Sequence, residues 1–488
     1  MKSPHRYLTL ASIVAIGFLQ NLQGSTVSNS SDSGPGSLRS AIASAVNGET
    51  IHFDPALNGA TITLTSGNLV ISSLQVEIDA SPLAEGVSLS GNNLSRIFLI
   101  LGTSDVTLRN LRIHDGQALN GNGGGVFLAG GNLQMVGCSV SNCFATYNAG
   151  GIYLAFQTTA TLDRCRVVAN SASSFGFGGG IFVSGAAGSV FRNCMIAGNS
   201  NPFSGGVYTS NSSPAITNCT IQGNSGGGLR NDSNSDPVIT NSIIWGNTST
   251  GNTASQQINN TNGSNPTLSH CLVQGASGST SFADGDSTVW ASGNLNGETL
   301  GNDPKFASAI PASSAPHSGG DLRLLASSPA LNVGNNQADV GSLDLAGTQR
   351  VKSITVDLGA YEGGYVTFPS LYPALGQSED ENRNGISNYQ EYCMGFNPSA
   401  ANPLVAPSLS KAGNVALLTV NQRSNALDFT PLVQTNITLN GPWTPLAKNI
   451  HYTAVTATSV TADRDALVFQ LIMTDLKRFY RQAFSGFN

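Results

Sequence analysis

Eight ionisable side chains in the first half of the chain recur closely enough to do chemistry: Arg109, Arg112, His114 and Asp115, then Asp163, Arg164, Arg166 and Arg192. Such a group suits proton transfer, with Arg112, His114 and Arg166 as the acting side chains. A structural role competes with that reading. Asp163 and Arg192 fall at equivalent places in neighbouring repeats, so the same charges can form a rung-to-rung salt bridge, which contributes little if exposed. Glycoside hydrolysis needs two carboxylates about 5–9.5 Å apart; elimination needs a strong base beside a calcium cluster. Carboxylates are scarce here. No Glu lies between Glu85 and Glu298, no Lys between Lys2 and Lys305, and from Gly124 to Asn247 the only acids are Asp163, Asp232 and Asp236. The charged cluster is therefore expected to be structural and the chain non-catalytic.

The elements that position these residues come from a repeat. Gly124-Gly125-Val126-Phe127 returns as Gly150-Gly151-Ile152-Tyr153, Gly179-Gly180-Ile181-Phe182 and Gly205-Gly206-Val207-Tyr208, then fades into Gly227-Gly228-Leu229. In phase with it, Leu111, Cys138, Cys165, Cys194, Cys219, Ser242 and Cys271 follow one another at steps of 27, 27, 29, 25, 23 and 29 residues. A period in that range marks a solenoid, propeller or array. Apolar residues alternate over only three to five positions, as in Ile152 and Leu154, which specifies short strands and hence a β-solenoid. A lone coil buries too few side chains to offset its backbone entropy, so coils must stack, about 4.8 Å apart.

Stacking turns equivalent positions into columns. Asn170, Asn199, Asn224 and Asn247 form one, with Cys143 in the Asn place of its own coil; Asn110, Asn193, Asn218 and Asn241 form another. Asn accepts the left-handed backbone of a sharp corner and can hydrogen-bond the same amide one rung away. The glycine pairs are expected to make the other corner. The aromatics Phe127, Tyr153, Phe182 and Tyr208 form a further column, and alternation with Ile152 and Leu154 points them outward, along about 14 Å of exposed face. Such a face could stack on sugar rings or on a partner surface; with the opposite parity the same residues are core.

These repeats resemble the right-handed parallel β-helix repeats of secreted bacterial proteins and the Gly-Gly-Ala-Ile and Phe-x-x-Asn repeats of polymorphic outer-membrane proteins. Ser31 to Arg39 resembles the N-terminal cap of that group. Asp303 to Phe306, Ser328 to Gly334, Asp344 to Arg350 and Asp357 to Glu362 are similar to the segment called choice-of-anchor Q, which usually has Asp where Asn332 stands. The resemblance spans roughly residues 25 to 365 and implies the fold and export. Many right-handed parallel β-helices are polysaccharide lyases or glycoside hydrolases, so it leaves that activity as the rival to a scaffold.

Lys2 and Arg6 precede an apolar run, Tyr7 to Leu19, too short to span a bilayer and readable as a secretory signal peptide ending near Gly24. The mature chain is then secreted or held at a bacterial cell surface, with no membrane span, and a monomer. A net charge of −6 argues against nucleic acid as a partner. Seven Cys in an exported chain ordinarily suggest disulfides. Here most share one inward column and are expected to pack as free thiols, a Cys138 to Cys143 bridge being the exception. Ser37 can cap a helix over Leu38, Ala41, Ile42, Ala45 and Val46, ending at Asn47-Gly48, to cover the open first coil.

Beyond the closing coils expected at 300 to 365, a linker over 366 to 400 contains a calcium-type loop. Asp380, Asn382, Asn384, Ile386 (through its carbonyl), Asn388 and Glu391, with Gly385 at the turn, match D-x-[DN]-x-[DN]-G-x5-E. With only two charged ligands, Ca2+ affinity should lie in the weak extracellular range, about 10⁻⁴–10⁻³ M. The run also resembles thrombospondin type 3 linkers and half of a dockerin. Alternating runs between residues 401 and 488 suggest a small β-sandwich. The expectation is an all-β chain: a right-handed parallel β-helix with a smaller C-terminal β-sandwich, acting as a surface or adhesion-type protein toward a glycan or cell-surface partner. The alternative is a polysaccharide lyase or glycoside hydrolase acting on an acidic or plant or algal polysaccharide.

Overall fold

Strand alternation decides what is core. In Val126–Leu128, Ile152–Leu154 and Ile181–Ser184 the first and third residues are fully buried, and the same holds coil after coil. The computed structural model describes residues 24–363, apart from 187, 250–252, 278–287 and 353, and beyond them only the backbone of strands between 408 and 485. Among the described residues, three long parallel sheets of eleven, eight and nine strands form the walls of the solenoid. Register is kept throughout: Val126 pairs with Ile152, Ile152 with Ile181, and Ile181 with Val207. One continuous apolar core runs from Val27 to Ala276. The chain is an all-β, right-handed parallel β-helix.

The corners explain the polar repeats. Asn110, Asn193, Asn218 and Asn241 all take left-handed backbone, φ between 50° and 54°. That corner separates Asp105–Arg109 from Leu111–His114. In the other Asn column the left-handed residue sits one place earlier, at Ala169, Gly198, Gly223 and Gly246. The Asn itself is the ladder: Asn170 Nδ2 donates to Asn199 Oδ1 at 3.0 Å, Asn199 Nδ2 to Asn224 Oδ1 at 3.0 Å, and Asn224 Nδ2 to Asn247 Oδ1 at 2.8 Å. Gln257 closes the column by accepting from Asn247 at 2.7 Å, and Cys143 joins it by donating its backbone N–H to Asn170 Oδ1.

The glycine pairs do something other than turn the chain. None of Gly124, Gly150, Gly179 or Gly205 has positive φ. A Cβ on Gly124 would stand 2.3 Å from Phe144 O, and one on Gly205 2.3 Å from Ser225 O. They are needed because adjacent backbones approach too closely for any side chain.

The N-terminal helix, Leu38–Ser44, is capped by Ser37 Oγ, which accepts from Ser40 N, and it buries Leu38, Ala41 and Ile42 on the first coil. It stops two residues short of Val46, which is exposed. The six described cysteines are buried free thiols, so Cys138 and Cys143 form no bridge. Burial pushes the Cys143 and Cys271 thiols up to about 12.

The chain divides into two compact units. One holds the chain to Pro304 with Ala309–Asp321 and Asn332–Glu362; the other holds Lys305–Ser308, Leu322–Leu331 and the chain from Gly363. Where closing coils were expected, Asn332–Glu362 adds no strand to the long sheets. It lies instead along the outside of the solenoid as a strap. Asn193, Asn218 and Asn241 donate their side-chain amides to Val340 O, Asp357 O and Asn335 O at 2.8, 2.9 and 3.0 Å. In the second unit the described strands make a two-stranded sheet, Phe306–Ser308 with Asp321–Leu324, and two antiparallel sheets of four and three strands.

Candidate functional site

The nine-stranded sheet brings Arg112 and Arg166 into one outward column, with Ser139 on the rung between them. Arg112 Nε donates to Ser88 Oγ at 3.0 Å, and His114 Nδ1 lies 2.7 Å from Asp115 Oδ2. Arg166 Nη1 donates to Tyr361 OH at 2.9 Å, a tyrosine of the strap. From there on the column is covered. Met195, Thr220 and Ile243 point outward yet are 1%, 1% and 0% exposed, and Thr220 Oγ1 accepts from Ala360 N. The other charges pair along the axis: Arg109 with Glu77, and Arg192 with both Asp163 at 3.1 Å and Asp339 at 2.9 Å. Burial alone would lower the Arg192 pKa, but Asp163 and Asp339 hold it above its ordinary value.

The strap carries its own buried charge cluster. Arg350, Asp344, Asp357 and Glu362 are all inaccessible. Arg350 Nη2 donates to Asp357 O and Gly359 O at 2.8 Å, while its Nε faces Glu362 Oε2 at 3.7 Å. Asp344 accepts from the backbone of Thr348 and Glu362, and Asp357 Oδ1 from that of Asn332. Burial, reinforced by Asp357, raises the Glu362 carboxyl to about 7. These side-chain bonds run between residues of the strap itself, so the cluster holds the strap's turns in shape. At Asn332 it is the backbone N–H that is used.

The second candidate is the aromatic column of the eight-stranded sheet. Register places Phe127, Tyr153, Phe182 and Tyr208 on successive rungs, pointing away from the core. Neighbouring rings are 5.1, 5.2 and 4.8 Å apart. The expected open face is not what forms. Phe182 and Tyr208 are only 7% and 5% exposed, because Phe177 stacks over Tyr208 at 4.6 Å and the rings pack on Ala149 as a separate small cluster. Phe127 and Tyr153 stay half-buried. The open apolar surface lies beside this column, on the loops that precede the glycine pairs. Leu119, Tyr147, Phe175 and Phe203 stand there one per coil, 64%, 43%, 80% and 46% exposed. Their equal spacing, 28 residues each time, was a signal in the sequence.

A cation closes each end of the aromatic column. Arg96 lies over Phe127 at 5.1 Å, its guanidinium donating to Asn122 O and Gly123 O. Arg230 occupies the rung after Tyr208 and lies 5.8 Å from both the Tyr208 and the Phe177 rings. The fading repeat Gly228-Leu229-Arg230 puts Arg where earlier coils have an aromatic, which is how it could have been found. Tyr208 OH donates to Asp232 Oδ2 at 3.0 Å; burial, with Asp232 beside it, pushes the Tyr208 hydroxyl up to about 12. The calcium-type ligands Asp380, Asn382, Asn384, Ile386, Asn388 and Glu391 lie outside the described residues.

The family described as right handed beta helix region matches residues 20–199 and 124–296, together more than half of the chain. The chain belongs to the right-handed β-helix family. No curated protein matches it. Among solved structures this β-helix is similar to pectate lyase Pel9A, at 16% identity over 67% of this chain and 90% of that one, with a TM-score of 0.40. Likeness at that level carries no site across, so the function rests on the residues themselves.

Proposed function

We propose that this chain is an exported, non-catalytic β-helix of the surface or adhesion type, holding a glycan or cell-surface partner on the side that bears the aromatic column and its exposed ridge. The observation that supports this most is the fate of Arg166. The arginine column that a lyase would use is bound by Tyr361 and covered from that rung onward by the chain's own strap. Exposed rings gather on another side. The reading includes a signal peptide ending at Gly24, a C-terminal β-sandwich, and a calcium-stiffened linker between the two domains.

A lyase or hydrolase remains the second reading because Arg112 is half-buried rather than covered and stands near the His114–Asp115 pair. The test is unsaturated-product absorbance and reducing-sugar release from pectic, alginate and neutral glycans, with and without millimolar calcium. Turnover abolished by Arg112→Ala would make the protein an enzyme. No turnover from either protein, with wild-type binding retained in a pull-down, is the expected result.

A further inference from the structure

Arg230 is half-buried and stacked on two rings, and its Nε is buried without a hydrogen-bond partner. The carboxylate nearest in register is already used. Asp232 accepts from Tyr208 OH, Ser233 Oγ, Thr261 Oγ1 and Asn262 Nδ2, all within 3.0 Å. Burial raises its pKa, but those donors hold it below the ordinary carboxylate range. Arg230 therefore remains a planar cation with donors to spare, held in place by its rings.

A cavity of about 60 Å³ opens beside it, lined by Arg230, Phe203, Gly227, Ser249 and Asn259 among others. At roughly 10–15 Å³ per water-sized group, it has room for a carboxylate but not for a whole sugar. Phe203, half-exposed at the mouth, gives the ring of such a sugar an apolar face to lie on. From Phe203 the ridge continues through Phe175 and Tyr147 to Leu119, one side chain per coil at about 4.8 Å. From 116 to 231 the only acid is Asp163, which lies on the eleven-stranded sheet and pairs with Arg192, so the coils from Phe203 toward Leu119 bring no carboxylate to this side; the one beside the site, Asp232, is held by its four donors. The whole protein carries −6, so any attraction has to be local.

We propose that the Arg230 cavity binds the carboxylate of an acidic sugar, whose polysaccharide then runs along the ridge from Phe203 toward Leu119. This rests on the glycan-binding reading above and gives it a ligand class. The guanidinium would meet the carboxylate as a two-toothed pair, while the ridge contributes sugar stacking that is indifferent to charge.

The test is calorimetric titration of the full chain with oligogalacturonate, with oligomannuronate and with a neutral oligogalactan, at low and at physiological salt. Expected is binding of the acidic oligomers that weakens with salt, falls at least about tenfold in Arg230→Gln, and is only partly kept by Arg230→Lys, which supplies charge without the fork. Phe203→Ala should weaken binding severalfold, and its position on the surface keeps it foldable; a thermal melt checks both variants. Equal binding of neutral and acidic oligomers, unchanged in Arg230→Gln, would overturn the carboxylate site and leave the glycan-binding reading intact. Binding of none of the three, with a protein partner captured through Phe175 and Phe203, would overturn both.

Discussion

Replacing Asn199 by Ala tests whether the buried amide ladder holds the coils together. Asn199 is fully buried and makes four contacts at 2.9–3.0 Å: Oδ1 accepts from Asn170 N and Asn170 Nδ2, and Nδ2 donates to Val167 O and Asn224 Oδ1. Alanine orphans the Asn170 N–H, while Val167 O loses one of its two donors and keeps its place in the ladder with Met195–Ala197. Asn170 Nδ2 retains Val140 O, and Asn224 Oδ1 retains Asn199 N. One buried unsatisfied donor at about 1–3 kcal/mol, with the hydrogen bonds lost at Val167 O and Asn224 Oδ1 at about 0.5–1.5 kcal/mol each, gives about 2–6 kcal/mol. A water entering the polar space left by the amide would recover part of this, which places the expected loss near 3 kcal/mol. Asn199→Asp should cost at least as much, since it keeps the acceptor but sets a buried carboxylate against Val167 O and Asn224 Oδ1.

Because each coil touches only its neighbours, the damage should be local. Amide exchange resolved by residue is therefore the primary assay, with urea unfolding beside it. Protection should fall at Asn170 and its neighbouring coils and remain near the wild-type level in the coil of Ile51 and Phe53. An Asn199→Ala protein that loses less than about 1 kcal/mol and keeps Asn170 protected would refute the ladder argument.

Three further outcomes are expected. Glu362 is raised from 4.5 to about 7 in the fold, so the stability it contributes is fully present below pH 4.5 and lost as pH rises through about 7; melting temperature followed over that window should fall in the wild type and run flatter in Glu362→Gln. The six described thiols should resist alkylation in the native protein of a Cys393→Ala background and all react in denaturant, since burial raises those at Cys143 and Cys271 to about 12; a fast native reaction would contradict the free, packed column. Full-length protein should bind Ca2+ with a dissociation constant of about 10⁻⁴–10⁻³ M, lost in Glu391→Gln by calorimetry; equal binding in both would remove the loop as the site.

What the sequence displays well is whatever the solenoid repeats. The Cys and Asn columns and the parity of Ile152 and Leu154 are imposed on every coil by the same stacking, so their spacing shows them directly. The glycine pairs were legible in place but not in cause, because a close backbone approach and a left-handed turn select the same residue. The strap was legible only as motifs. Asp344, Arg350, Asp357 and Glu362 meet through non-local burial, which no periodicity records.

The functional surface was the hardest to see, and for a specific reason. Alternation tells which side chains leave the core but not what lies over them. Phe182 and Tyr208 leave the core and are covered by a ring two residues before a glycine pair, Phe177. Arg166 leaves the core and is met by a tyrosine 195 residues later. A solenoid side is open only where neither a loop nor a later segment returns to it. Among the described residues, that test removes most of the arginine column and half of the aromatic one, and it leaves the loop ridge and Arg230, where a broken repeat puts a cation at the end of a stack of rings.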